Sequence, residues 1–282
     1  MKRHSLTAVL AMILGIGVMV YAGAELSKVE HVYSEGNSAY SDISGRVRKV
    51  SGHIANAHSQ SPSNSADSSQ GRIDTLVYEE TKTKNETETK KPHVDIPAFD
   101  IDYDALTTIN KDAVAWLYCP DTVIDYPVMQ ADDYSYYLNH LPDGTKNANG
   151  TLFIDYNNAS DFSDPLTVIY GHHMKSGKMF GNLKGYKEQR YYEDHPYMYL
   201  YTQTGNYRID LIYGCVIGAS QWRERAFMYS ENIDALLAYA EHNTTFQTDV
   251  TYAEGDRFVA LSTCSYEFDN ARYVVIGVLR EG

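Results

Sequence analysis

An almost unbroken apolar run, residues 6–24, stands behind the basic residues Lys2 and Arg3. Wound as a helix at about 1.5 Å per residue, it spans roughly 28 Å, close to the hydrocarbon thickness of a bilayer. A signal-peptide core is usually shorter, about 7–15 apolar residues, and ends in a small-x-small cleavage site. Ala22-Gly23-Ala24 has that form, so cleavage stays open, and the length of the run favours an uncleaved anchor. Basic residues on the short side predict a cytoplasmic N-terminus with the rest of the chain outside the membrane. Further on, Ile43, Val47, Val50 and Ile54 recur at helical spacing and predict a juxtamembrane helix. Residues 59–71 are mainly Ser, Asn and Gly, and residues 79–92 mainly Glu, Lys and Thr. Neither stretch has enough apolar surface to offset the entropy of ordering, so both read as flexible spacer.

The pattern changes near residue 96. Short β-rich runs then recur between Gly, Asn, Asp and Pro, at 113–117, 125–128, 152–155, 167–170, 197–201, 207–219, 257–263 and 273–279. Such a series predicts a mainly β fold, a barrel or a sandwich, with few helices. Asn232 is placed to cap a helix through His242 with Leu236, Leu237 and Ala240 on one face. Shorter helices are expected at 103–109 and 179–184. The predicted organisation is therefore 1–24 cytoplasmic tip and membrane anchor, 25–95 juxtamembrane helix and spacer, and 96–282 globular domain.

Composition narrows the function. A net charge of −13 over 282 residues repels phosphate backbones and argues against nucleic-acid binding. The aromatic residues lean on tyrosine, 25 against 8 Phe and 2 Trp, which suits strands and half-wet grooves. Three cysteines, Cys119, Cys215 and Cys264, with no CxxC pair, make neither a disulfide framework nor a structural zinc site. A lone thiol in an exported chain is then either a buried small hydrophobe or a reactive group.

Cys264 ends the run Phe258-Val259-Ala260-Leu261-Ser262-Thr263-Cys264, and Arg272 opens the next one. If these strands are neighbours, thiol and guanidinium face each other at the loop mouth. There an arginine stabilises a thiolate or an oxyanion. From spacing alone a buried, inert cysteine beside a surface arginine has the edge, because free Cys is among the most buried residue types. His172 and His173 follow an apolar strand and Gly171. That setting offers a cysteine its usual proton partner, or simply a pair of exposed loop histidines.

Taken together these residues resemble the sortase family. Leu261-Ser262-Thr263-Cys264 is similar to its TLxTC signature, with Ala260 in place of the leading Thr. Ile169-Tyr170-Gly171-His172 resembles the family's histidine segment, and Arg272 stands where the family places its arginine. Ala115-Trp116-Leu117, Ile124-Asp125-Tyr126-Pro127-Val128, Gly150-Thr151-Leu152-Phe153-Ile154-Asp155 and Tyr191-Tyr192-Glu193-Asp194-His195-Pro196 extend the likeness over roughly residues 98–280, toward class B.

The resemblance implies an eight-stranded sortase-type β-barrel. It implies a cysteine transpeptidase that cuts a C-terminal sorting motif of the NPxTN or (S/N/P)PxTG type after Thr. It further implies Cys264 as nucleophile, His172 as acid and then base, Arg272 at the substrate backbone and oxyanion, and no catalytic role for His173. Ser262, Thr263, Leu138 and Asn139 become groove candidates, with Tyr266 and Glu267 at the mouth, although ordinary packing or solvation would account for each. No cofactor or metal is implied. The implied partners are secreted proteins with a sorting motif and a cell-wall peptide amine, or a pilin subunit if the enzyme polymerises pilins. The chain end at Arg280-Glu281-Gly282, without a further span, favours anchoring over polymerisation. A non-catalytic binding module on the same barrel is the remaining alternative.

Overall fold

The computed structural model describes residues 3–50, 99–226 and 233–282, leaving aside the side chains of residues 3–11, 13, 50 and 224–226. Asn232 and the spacer segments 59–71 and 79–92 lie outside the described residues, as do residues 51–57.

One helix, α1 (Arg3–Val47), covers the apolar run and continues well past it. Met12, Leu14, Ile16, Val18, Met19, Val20 and Tyr21 are exposed along it. Among the described residues no helix is long and apolar enough to cross a membrane. Toward its C-terminal end, Tyr40, Ile43 and Val47 are buried. The juxtamembrane helix expected through Ile54 is present as far as Val47, where the chain turns into β1 (Arg48–Val50) and pairs with β2 (Phe99–Ile101), and Ile54 lies outside the described residues. Tertiary partners decide this. Asp102 N–H donates to the Val47 carbonyl at 2.7 Å. The Arg48 guanidinium pairs with Asp125 at 2.8 Å and lies 3.7 Å over the Phe99 ring. Lys49 pairs with Asp102 at 2.6 Å. Periodicity along one segment carries no information about such distant partners. The next helix, α2 (Tyr103–Ile109), forms where expected, capped by the Asp102 carboxylate on Ala105 N–H at 3.1 Å.

Eight further strands come after it: β3 (Ala113–Tyr118), β4 (Asp125–Met129), β5 (Leu152–Ile154), β6 (Leu166–Tyr170), β7 (Tyr197–Thr202), β8 (Gly205–Gly218), β9 (Phe258–Cys264) and β10 (Ala271–Glu281). They close into a barrel in the order β10-β8-β7-β3-β4-β5-β6-β9. All eight predicted strands are present, and closure removes the exposed edges that invite aggregation. The predicted end at residue 219 is one residue long, because Ala219 starts α4 (Ala219–Ala226). Two pairs, β4–β5 and β6–β9, are parallel.

Alternation along the strands builds an interior and two outer covers. On β9, Val259 and Leu261 point into the barrel with Val275, Tyr273 and Ile169. Phe258 and Ala260 point outward, against Leu236, Leu237 and Ala240 of α5 (Ile233–His242). Those three are the face that the sequence predicts. Burying each leucine contributes about 2 kcal/mol. On the far side Trp116, Met129 and Phe153 meet Ile43, Val47 and Leu106 from α1 and α2. With both faces covered, β6 and β9 read as nearly continuous apolar runs. The expected helix at 179–184 is a 3-10 segment, Phe180–Lys187. A short helix α3 (Gln189–Asp194) and a 3-10 turn at Tyr136–Leu138 lay outside the sequence reading, as did α4.

Candidate active site

β9 stops at Cys264, whose side chain is exposed, whereas Cys119 and Cys215 are buried and no disulfide joins any of the three. Burial pushes the Cys119 thiol up to about 11 despite hydrogen bonds from Thr122 and Tyr186. Cys264 is the direct cross-strand partner of Arg272 on β10. Ser265 N–H donates to the Ala271 carbonyl at 2.9 Å. That bond makes the 264–272 pair the non-hydrogen-bonded kind, in which side chains approach most closely, at about 4.5 Å between Cα atoms. The neighbourly arrangement expected of thiol and guanidinium is therefore built by register. At rest one arm of Arg272, Nη1, donates to the Ala271 carbonyl at 3.0 Å. The rest of its five-donor fork remains for other acceptors.

β6 runs parallel to β9 and ends two residues short of it, Tyr170 against Ser262. Gly171 is next. A Cβ there would meet Leu152 and Phe180 side-chain carbons at 2.5 and 2.7 Å, so only glycine lets the chain pass. His172 comes after it. Its Nε2 lies 2.5 Å from the Leu138 carbonyl. A carbonyl only accepts, so Nε2 carries a proton and Nδ1 is the nitrogen left for proton transfer.

Cys264, His172 and Arg272 line one cavity of about 330 Å³, together with Ser262, Thr263 and Leu138. The other groove candidates lie elsewhere. Asn139 is exposed outside the lining, and its carbonyl accepts from Asn147 N–H at 2.9 Å. Tyr266 is 70% exposed. Glu267 is bound to Lys187 and to the Ser265 hydroxyl. Thr263 is also committed, since its hydroxyl donates to the buried Gly171 carbonyl at 2.8 Å and ties β9 to the end of β6. Ser262 differs. Its buried hydroxyl has no partner among the described residues, nor has Trp222 Nε1 across the cavity. A buried polar group left unpaired costs about 1–3 kcal/mol, so both are open to a polar ligand.

Gly171, Tyr134, Phe153, Tyr170, Ala219, Trp222 and Arg223 complete the lining, and none of them stood among the site candidates of the sequence reading. One signal pointed to them. Trp222 is one of only two tryptophans and directly precedes an arginine in the segment after β8. Among the described residues the cavity is lined by two arginines and no carboxylate, in a chain of net charge −13.

The family model for the sortase domain matches residues 117–280. The chain belongs to the sortase family. Sortase B of Listeria monocytogenes is 33% identical over 178 residues, covering 62% of this chain and 72% of the relative. The solved Staphylococcus aureus sortase B–substrate complex is 27% identical with a TM-score of 0.59, covering 64% of this chain and 84% of that one. A sortase B solved with triglycine is 27% identical with the same TM-score, covering 64% and 85%. Within the family the chain is a class B sortase, and so a cysteine transpeptidase. The barrel expected from the resemblance is the barrel observed, and the purely binding alternative gives way.

Proposed function

We propose that this sortase cleaves a C-terminal sorting motif of the NPxTN or (S/N/P)PxTG type after its threonine and transfers the released acyl group to a cell-wall peptide amine. The Cys264 thiol passes its proton to His172 Nδ1, its Sγ attacks the threonine carbonyl carbon as thiolate, and the free arms of Arg272 hold the oxyanion that forms. When the C–N bond breaks, His172 Nδ1 donates a proton to the leaving amine, leaving a thioester on Cys264. The acceptor amine then attacks that thioester, His172 takes its proton, and the thiolate is released. The observation that carries the reading is the cavity where the chain's one exposed cysteine is register-paired with Arg272 and shares walls with His172. The relatives solved with a substrate and with triglycine support the two halves of the reaction, a peptide donor and an amine acceptor. The unpartnered Ser262 hydroxyl and Trp222 N–H supply polar contacts for the motif's backbone.

The apolar run at residues 6–24, with Lys2 and Arg3 before it, supports a single-pass anchor that holds the barrel outside the membrane. Cleavage of a sorting-peptide library by the full chain in detergent, with and without triglycine, tests the function. Motif-dependent cleavage after Thr with a mass shift to the triglycine adduct is expected. Hydrolysis alone, or no dependence on the motif, contradicts it.

A further inference from the structure

The Cys264 carbonyl has a donor that the strand ladder does not provide. Because 264–272 is a non-hydrogen-bonded pair, the Cys264 carbonyl faces away from β10 and toward the side of β6. Two residues earlier the Ser262 carbonyl faces the same way and accepts from Gly171 N–H at 3.2 Å. Were β6 to continue, the next donor in that ladder would be the backbone N–H of residue 173. β6 has already ended at Tyr170, and His173 instead bridges to Met179. Its side chain takes the vacant role, with Nδ1 2.7 Å from the Cys264 carbonyl. The carbonyl only accepts, so Nδ1 is protonated. The Tyr266 ring packs edge-on against this imidazole at 5.1 Å. The peptide unit after Cys264 is thus gripped at both ends, its carbonyl by His173 and its N–H by Ala271.

We propose that His173 is a positioning residue for transpeptidation. It supplies the missing ladder donor at the Cys264 carbonyl and so holds Sγ in line with Arg272 and the cavity. The inference rests on Cys264 as the nucleophile. Displacing a reacting atom by about 1 Å costs on the order of 100-fold in rate without a matching loss of binding.

The test measures kcat and KM for sorting-peptide cleavage by the full chain in detergent. His173→Leu, which lacks a donor, is expected to lower kcat about 10- to 100-fold with KM within about threefold. His173→Asn places an amide N–H where Nδ1 stands and is expected to return kcat to within about threefold of the native value. A Leu variant with native kcat, a defect confined to KM, or an Asn variant no better than Leu overturns the proposal. If the Leu variant does not fold, the Asn and Gln variants decide. Gln carries the same amide one methylene too far and is expected about tenfold below Asn, and equal rates overturn the proposal. Cys264→Ala is measured beside them. If it is inactive while His173→Leu is native, the nucleophile stands and only the role of His173 falls. If Cys264→Ala still cleaves, the nucleophile assignment itself is lost.

Discussion

The two loops flanking the cavity are held by opposite means. The first, residues 130–151, brings the Leu138 carbonyl to His172. Its Tyr137 is buried, donates to Asp112 at 2.9 Å and accepts from Asn110 at 2.9 Å. Thr151 N–H donates to the Tyr137 carbonyl at 2.8 Å. Gly150 sits at φ +59°, where an added Cβ would stand 2.6 and 2.7 Å from the Tyr137 and Leu138 carbonyl oxygens. From outside, α1 closes on it. The Tyr40 hydroxyl donates to the Gly150 carbonyl, and Asn147 Nδ2 donates to the Val32 carbonyl at 2.8 Å. The second loop, residues 265–270, starts after Cys264 and exposes Tyr266 and Phe268. Its polar tie is the cluster of Lys187, Ser265 and Glu267, with the lysine and glutamate side chains 30% and 37% exposed. Buried hydrogen bonds are expensive to break, whereas exposed ion pairs contribute little. One wall therefore holds the proton-transfer histidine in place, and the other is free to adjust around a peptide.

Substitutions on the two walls test this contrast. Gly150→Ala strikes the fixed wall hardest, combining a left-handed backbone position with a clash against two carbonyls. A loss of about 2 kcal/mol or more is expected in urea unfolding. A fall in kcat of about tenfold is expected as the Leu138 carbonyl shifts from His172. Tyr40→Phe leaves the Gly150 carbonyl without its hydroxyl donor and is expected to cost about 1–2 kcal/mol in the same assay. A Tyr40→Phe chain as stable as the native one would mean that α1 merely lies against the barrel.

Glu267→Gln is expected to have the smallest effect, under about 1 kcal/mol and shrinking with added salt, because the pair is partly exposed. Desolvation raises the Glu267 carboxyl, but hydrogen bonds from Lys187 and Ser265 outweigh it and hold it at about 2, below the ordinary 4.5. A lowered folded-state pKa stabilises above the unfolded value. The Glu267 contribution is therefore complete above pH 4.5 and lost as pH falls toward 2. The native and Gln chains should converge in thermal midpoint over that window. A gap that persists at about pH 2 would refute the ion-pair account.

The barrel was legible in the sequence because each strand is a short β-rich run stopped by turn residues, as where Cys264 and Arg272 flank one connection. Their register came from that short loop. The docking of α1 was not legible. Its partners Asn147 and Asn149 lie far along the chain and bind the Val32 and Tyr33 carbonyls through side chains that look like loop polarity in sequence. α4 escaped for another reason. It is two turns long and directly continues a strand, so its helical period had no room to declare itself before Trp222 and Arg223 reached the cavity. Thr263 lines the cavity as a groove candidate would, but its hydroxyl has a second role that its sequence setting does not show. It stands beside the nucleophile as the motif implies, and that hydroxyl serves the scaffold.

The proposed chemistry stands or falls with the passage of the acyl group through Cys264. Intact-mass measurement of the chain mixed with a cleavable sorting peptide, without any amine acceptor, tests it directly. An adduct of the mass of the N-terminal peptide fragment, mapped to Cys264 and absent from Cys264→Ala, is the predicted result. An adduct on Cys119 or Cys215, or undiminished cleavage by Cys264→Ala, would contradict it.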